Sequence, residues 1–372
     1  MTRLLMVART RYALPLSPSL REKFDAMGRV LDVHVFAARA PGNRGSDPRF
    51  HLVAAVRPST LDGPLFHLLM PFRVAQALRR LQPDVVLVQG AHETALVLAG
   101  RTLARSPAKV ILDLHGDVAA PTRLYGSPLR TLLSPLVDAL ARTGVRRADG
   151  VRTLSPFTSA LVRRLGVEPA AEFVAFMDLA VFEQGPPAPQ PPKPTLLFVG
   201  VLERYKALDV IAEAWRLTAA RVPEARFHLV GKGTLRPLVE SLRAEFGERV
   251  RWDERLEPED VAAAMDASTA LVLASRSEGL GRVIVEAFHR GRPVVGSRAG
   301  GIPDAVEDGV NGLLVPAEDA GALANAMTRI LADRALAERL ARGAAASAVR
   351  WAASPDEHAT RVAALVETVR AR

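Results

Sequence analysis

The sequence predicts an α/β protein made of two doubly wound, parallel-sheet domains. Three observations carry this reading. The chain opens strand–helix–strand: Arg3–Ala8 is apolar and extended, Leu20, Phe24 and Met27 fall at i, i+4 and i+7 of a helix over 19–28, and Val30–Phe36 is a second strand. A proline-rich run, GPPAPQPPKP at 185–194, can join neither a sheet nor a helix. Beyond it the apolar run Thr195–Val199 ends in Gly200 and begins a new strand–glycine loop–helix series. With 372 residues the chain has room for two such domains. The expected division is 1–183, a linker over 184–194, a second domain over 195–350, and a last helix within 351–372.

In the first half, Gly28 is the expected stop of the first helix. Arg9 to Ser19 reads as a loop, whose Arg9 and Arg11 are either solvated or meet a phosphate, and residues 38–50 read as a Gly/Pro/Asp loop. GPLFHLLMPFRVAQALRRL, 63–81, is a helix with apolar bulk and a basic end; it suits packing on a sheet or contact with a membrane. Asp84–Val88 is a strand, and QGAHET (89–94) turns into the next helix. Val110–Leu112 is a strand that runs into DLHGD at 113–117, placing His115 between two aspartates at a strand's C-terminal end, where α/β sites form. Asp113 and Asp117 do not have a metal-ligand spacing. Residues 121–147 are proline-broken, apolar and basic; Gly150–Leu154 is a strand; Ser155-Pro156 starts a helix that Gly166 stops.

In the second half, strands at Thr195–Val199, Arg226–Val230 and Val250–Trp252 are followed by the loops GVLERYK (200–206), GKG (231–233) and DERL (253–256). The densest signal is SRSEGLGRVIVEAFHRGRPVVGSRAGGIPDAVEDGVNGLLVP, 275–316, after the buried run Ala270–Leu273. Gly281 opens a helix carrying Val283, Ile284, Ala287 and Phe288 at helical spacing, and Gly291 and Pro293 end it. A helix start preceded by glycines offers free N–H groups and a positive dipole end to a phosphate. Glu278 and Glu286 lie eight residues apart, roughly 12 Å at helical rise. Carboxylates accept hydrogen bonds from hydroxyls, so this pair can hold the two sugars of one donor. Two Ala/Leu-rich helices over 320–346 follow. The last helix, 356–370, has Val362, Leu365, Val366 and Val369 on one face.

This stretch resembles the retaining GT-B glycosyltransferases with the Glu-x7-Glu motif (glycosyl transferases group 1, glycosyltransferase family four). Glu278 and Glu286 match the motif's glutamates, and the flank from Gly291 to Pro316 continues the pattern. The resemblance is close over 195–352 and looser over 1–183. It implies two Rossmann-like domains facing across a cleft, a UDP- or GDP-hexose donor on the second, a last helix within 351–372 that crosses back to the first domain, and no metal or other cofactor. It implies that Glu278 orients the transferred sugar and Glu286 holds the ribose, while Gly279, Leu280, Gly281, Arg282 and Val283 bring amides to sugar and phosphates. The family's Gly-Arg-Leu-x-x-x-Lys-Gly grips the diphosphate. Here Gly200, Leu202 and Lys206 match, Val201 replaces Arg and Ala207 replaces Gly. A lost cation weakens a charge-assisted clamp, and Arg204 is the candidate replacement. Gly231 and Lys232 fall on the donor side, Arg255 and Leu256 where the base is read, and His115 near the reaction centre. An epimerase using the same nucleotide contacts, or a non-catalytic glycan-binding homologue, would share these features.

Composition narrows the partners. Cysteine is absent, so disulfides and thiolate metal sites are excluded, which fits a cytoplasmic enzyme. No apolar run reaches the length of a membrane span, and the N-terminus reads as a first core strand rather than a secretory signal. The net charge of +9 lies wholly in residues 1–183, with 24 basic and 15 acidic residues. That half suits an anionic surface at the inner face of the membrane, or a phosphate-bearing or lipid-linked acceptor. Aromatics are only 5%, and no nucleic-acid-binding pattern is present.

Overall fold

The structure, a computed structural model, describes residues 1–54, 56, 59–117 and 128–372, with the backbone alone at 59, 60, 128–131 and 133. The chain forms two compact units: residues 1–117, Leu132–Phe176 and Ala353–Arg372 in the first, and residues 128–131 with Met177–Ala352 in the second.

The first unit contains β1 (Arg3–Tyr12), α1 (Pro18–Val30), β2 (Asp32–Arg39), β3 (Phe50–Val53), α2 (Ser59–Leu81), β4 (Val85–Gln89), α3 (Ala91–Ala104), β5 (Lys109–Leu114), α4 (Pro128–Arg147), β6 (Gly150–Thr153), α5 (Pro156–Arg164) and β7 (Ala171–Glu172). Its strands are parallel, in the order β3-β2-β1-β4-β5-β6-β7. The second unit contains β8 (Thr195–Val199), α6 (Leu208–Arg221), β9 (Arg226–Val230), α7 (Arg236–Phe246), β10 (Val250–Asp253), α8 (Pro258–Asp266), β11 (Ala270–Leu273), α9 (Arg282–His289), β12 (Val294–Ser297), α10 (Ile302–Ala305), β13 (Gly312–Val315), α11 (Ala320–Ala332) and α12 (Arg334–Ala348). Its parallel order is β10-β9-β8-β11-β12-β13. Both sheets are Rossmann-like, as the sequence predicts. Each reverses strand order once, between β1 and β4 and between β8 and β11.

Helices cover both faces of each sheet, which is why the central strands are apolar in nearly every position. In the first unit, Leu4, Val33, Val35, Val85 and Ile111 meet Phe24 and Met27 of α1, while Leu5, Val7, Val86 and Val110 meet Phe66, Met70 and Val74 of α2. The final helix, α13 (Pro355–Arg370), inserts Val362, Leu365, Val366 and Val369 into the first of these cores. Packing is tight there: a Cβ on Gly150 would lie 2.5 Å from Val369 Cγ2. In the second unit, Trp215, Phe198 and Phe227 are buried beneath α6 and the sheet.

The structure refines several boundaries. β1 continues through Arg9 and Arg11 to Tyr12, with an irregular register between Val7 and Arg11. α1 passes Gly28 and ends at Val30, because Met27 and Leu31 are both buried and the extra turn delivers Leu31 to the core. β3, at a sheet edge, follows the loop expected over 38–50. Residues 118–127 of the expected proline-broken segment lie outside the described residues; from Pro128 the segment is a helix that contains Pro135.

The sequence places the domain junction at 184–194, whereas the change of unit falls between Phe176 and Met177. The proline run is held on the second unit by two arginines at the end of α9. Arg290 donates to Gln184 O (2.7 Å) and Arg292, 1% exposed, to Ala188 O (2.7 Å) and Pro189 O (3.1 Å).

His358 of α13 is buried near the rings of Phe173 and Phe176, at 6.2 and 6.0 Å. Burial and the nearby positive charges of Lys23 and Arg152 push its pKa down from 6.5 to about 3. The unfolded chain therefore binds a proton below about pH 6.5 that the folded unit refuses until about pH 3. Stability of the first unit should fall with falling pH across that window, by up to about 1.4 kcal/mol per pH unit. Hydrogen exchange of the α13 amides at a series of pH values should show this slope in the wild type and a shallower one in His358→Gln.

Candidate active site

In an open parallel sheet, loops at the C-terminal ends of two strands part where strand order reverses, and ligands bind there. In the second unit the loops at that point follow β8 and β11. The β8 loop carries Lys206, which is 8% exposed, and the β11 loop carries Glu278. Lys206 Nζ lies 2.5 Å from Glu278 Oε2, and Ser275 Oγ lies 3.4 Å from the same oxygen. The ammonium also sits 5.2 Å from the centre of the Tyr205 ring. Two candidates from loops 72 residues apart thus meet at the reversal.

The backbone around them is set by glycines. Gly281, at φ +82°, is the N-cap of α9, and no side chain among the described residues caps that end. α9 itself is buried from Val283 to Phe288, so its N-terminal N–H groups point from the core towards the same loop. Gly301 N donates to Glu278 O at 2.9 Å. A Cβ on Gly301 would lie 1.9 Å from Gly279 O, so the glycine pair presses directly on the Glu278 loop. On the other side Gly231, at φ +146°, approaches Gly200 so closely that a Cβ would lie 1.8 Å from Gly200 O. Leu202 N donates to Lys232 O at 3.0 Å, joining the GVLERYK and GKG loops.

Glu286 is 8% exposed, one helical turn inside α9. Burial pushes its pKa up, opposed by Arg282, whose Nε donates to Glu286 Oε1 at 2.6 Å. Arg282 also donates to Asp178 O at 3.0 Å. Leu280 and Val283 are buried beside the loop. Arg204 and Lys232 are exposed, and so is Val201, an apolar side chain 42% exposed where a cation was expected. Arg255 is exposed on the loop after β10, 3.2 Å from Glu257, and Leu256 beside it is half-buried.

The sequence reading missed Arg276. Its backbone N donates to Tyr205 O (2.7 Å), and its guanidinium bonds Arg204 O, Asp209 (2.9 and 2.8 Å) and Glu318 (2.8 Å). It ties the loop of Lys206 to the loop of Glu278, and the two carboxylates raise its pKa further, against burial. One arginine in a polar loop gives no signal of this in sequence, because its partners lie 67 and 42 residues away.

In the first unit, His115 follows β5 and is a third exposed at its side chain. Its Nε2 lies 2.8 Å from Asp113 Oδ2, and Gln89 Nε2 lies 3.2 Å from its Nδ1. A carboxylate only accepts, so Nε2 carries the proton and Nδ1 accepts from the amide. Asp113 is buried. Burial pushes its pKa up, but Arg152 and His115 outweigh this and hold it well below the usual carboxylate range. Both Asp113 oxygens are engaged, Oδ1 by Arg152 and Oδ2 by His115.

Two Rossmann-like units, with a lysine–glutamate pair and a glycine-capped helix start at the strand-order reversal of the second, form a polar site of the kind that open α/β sheets build. Comparisons identify the family. The glycosyl transferases group 1 model matches residues 193–333, and the glycosyl transferase 4-like domain model matches 17–175. The chain belongs to the group 1 glycosyltransferases. D-inositol 3-phosphate glycosyltransferases of Streptomyces griseus and Frankia alni are 36% and 33% identical over 163 and 198 residues, covering 41% and 48% of this chain. The alpha-D-kanosaminyltransferase of Streptomyces kanamyceticus is 32% identical over 155 residues, 41% of this chain. The chain spans only 34% to 49% of the length of these curated relatives. The fold is that of the sucrose-phosphate synthase of Thermosynechococcus elongatus (TM-score 0.78, 20% identity, all of both chains). It is equally that of Anabaena HepE in complex with UDP-glucose (TM-score 0.70, 18% identity, all of both chains). Both unit architectures therefore match the GT-B class expected from the sequence.

If the glycine pair sets the Glu278 loop, Gly301→Ala must move backbone rather than a flexible side-chain end. Overpacking of this kind costs about 1–3 kcal/mol. A thermal melt should show a clear loss of Tm for Gly301→Ala. The control, Gly28→Ala, should melt at or slightly above wild type, since a Cβ there meets nothing within 4 Å beyond its chain neighbours and its own helix backbone, and alanine favours the helix.

Proposed function

We propose that the protein transfers a hexose from a UDP- or GDP-sugar to an acceptor hydroxyl with retention of anomeric configuration. The observation that carries this is the Lys206–Glu278 pair beside the N-terminus of α9. Lys206 and the first amides of α9 bind the diphosphate and stabilise the charge that develops as it leaves. Glu278 orients the sugar by accepting from its hydroxyls, and Glu286 does the same for the ribose. Arg204, exposed in the same loop, replaces the cation missing at Val201. Gly200, Gly231, Lys232, Arg255 and Leu256 border the nucleotide.

In the reaction the acceptor oxygen bonds to the anomeric carbon as the bond from that carbon to the diphosphate breaks. The acceptor proton passes to the departing phosphate oxygen on the same face. No enzyme nucleophile and no metal enters this step. His115, oriented by Asp113 and Gln89, is the first unit's group for the acceptor. The relatives' names support a sugar transfer, and HepE was solved with UDP-glucose.

Lys206→Met should lower kcat about 100- to 1000-fold, the usual effect of losing one stabilising donor at a developing charge. Glu278→Gln should lower turnover comparably, and Arg204→Ala should weaken donor binding. Thermal shift across UDP- and GDP-sugars identifies the donor, because a ligand of the folded state raises its Tm. Unchanged turnover in both Lys206→Met and Glu278→Gln defeats the assignment. Turnover of the donor with no acceptor would favour an epimerase, and binding without turnover a glycan-binding homologue.

The acceptor side of the proposal extends to an anionic membrane surface. Among the described residues no helix is long and apolar enough to cross a membrane. Yet α2 exposes Leu61 (54%), Leu68 (70%) and Phe72 (65%) at a spacing of seven and four residues, which is one helix face. The same half of the chain carries the whole basic excess. Apolar insertion together with basic attraction is the chemistry of peripheral binding. Wild type should co-sediment with phosphatidylglycerol vesicles and not with phosphatidylcholine vesicles, and Leu68→Ser/Phe72→Ser should release it. Equal sedimentation of the variant would remove this helix face from the binding surface, and failure of the wild type to sediment would remove the membrane reading.

A further inference from the structure

His67 of α2 and His92 and Glu93 of α3 form a cluster that the donor chemistry does not use. Their donor atoms all lie within 4.8 Å of one another. His67 Nε2 is 3.3 Å and His92 Nε2 is 2.9 Å from Glu93 Oε1. Donors on a tetrahedral zinc ion, each about 2.0–2.1 Å from it, stand about 3.3 Å apart, so the two histidine–glutamate separations are close to that spacing.

Hydrogen bonding explains why a cation suits the cluster. His67 Nδ1 lies 2.8 Å from Gly63 O. A carbonyl accepts and does not donate, so Nδ1 carries the proton. In neutral His67 the lone pair on Nε2 then faces the carboxylate. A carbonyl behind the distal nitrogen is the arrangement that orients a metal-binding imidazole. Glu93 is 8% exposed, and its Oε2 is buried with no hydrogen-bond partner among the described residues. That oxygen is pressed towards Gly90, where a Cβ would come within 2.2 Å of it. The first turn of α3 supplies partial positive charge to Glu93 but no donor to Oε2. The histidine side chains are 26% and 41% exposed, so an ion has an entry path.

We infer that His67, His92 and Glu93 Oε1 form a three-ligand site for a zinc-class divalent cation, with the fourth position open. Two imidazoles and one carboxylate favour zinc over magnesium or calcium, which take oxygen ligands. Gly90 connects the cluster to the C-terminal end of β4, one of the two strands at the first unit's order reversal. The open position there can take an oxygen of an anionic ligand. The inference is independent of the glycosyl-transfer reading.

The test is zinc titration of the untagged, chelator-treated full chain by calorimetry, with cobalt(II) absorption as a second readout of coordination geometry. Wild type should bind one equivalent of zinc and give a tetrahedral cobalt spectrum. His67→Ala and His92→Ala should each weaken zinc binding by more than the about 10- to 100-fold that loss of an outer partner costs. Failure of the wild type to take up one equivalent overturns the inference, whatever the variants do. So does uptake that persists with unchanged affinity in the correctly folded double variant, judged by circular dichroism.

Discussion

In each unit two neighbouring strands send the chain to opposite sides of the sheet. β1 leads towards β2 and β4 towards β5; β8 leads towards β9 and β11 towards β12. The loops that follow have to separate, and polar side chains collect in the gap, where the sheet can no longer bury them. This single constraint locates Lys206, Glu278 and the start of α9 in one unit, and Gln89 and the zinc-class cluster's α3 in the other. Residues far apart in sequence meet because strands adjacent in space bring their C-terminal ends to one edge.

Charges at these edges are held by other charges rather than left to water. Arg276 anchors two loops through two carboxylates and two carbonyls. Lys206 and Glu278 pair across two loops, and Arg152 and His115 hold Asp113 ionised. Removing one member of such a pair leaves an uncompensated buried charge, which is costlier than the pair itself. The loops can therefore present reactive groups in a fixed orientation, as transfer chemistry requires.

Much of this was legible from the chain alone. Thr195–Val199, Arg226–Val230 and Ala270–Leu273 are strands at the residues expected, because buried parallel strands are short unbroken apolar runs bounded by glycine or polar turns. The Glu-x7-Glu stretch pointed to Glu278, and the Gly-x-Leu-x-x-x-Lys loop to Lys206; the structure pairs them. What escaped had no local signature. Gly28 looks like a helix stop, but burial of Leu31 carries the helix past it. The proline run looks like a free spacer, but Arg290 and Arg292 draw it onto the second unit. The roles of Arg276 and of His67 with His92 and Glu93 arise from contacts between separate elements, and periodicity records only one element at a time.

The placement of α13 reverses the order in which the halves can be completed. Five of its side chains are part of the first unit's interior, yet they follow residues 177–352 in the chain. During synthesis the early half therefore waits with one wall of its interior unfilled while residues 177–352 emerge. The part of the chain made first is therefore closed only after the segment that follows it, and until then Leu4, Phe24 and Val85 lack the wall that α13 supplies.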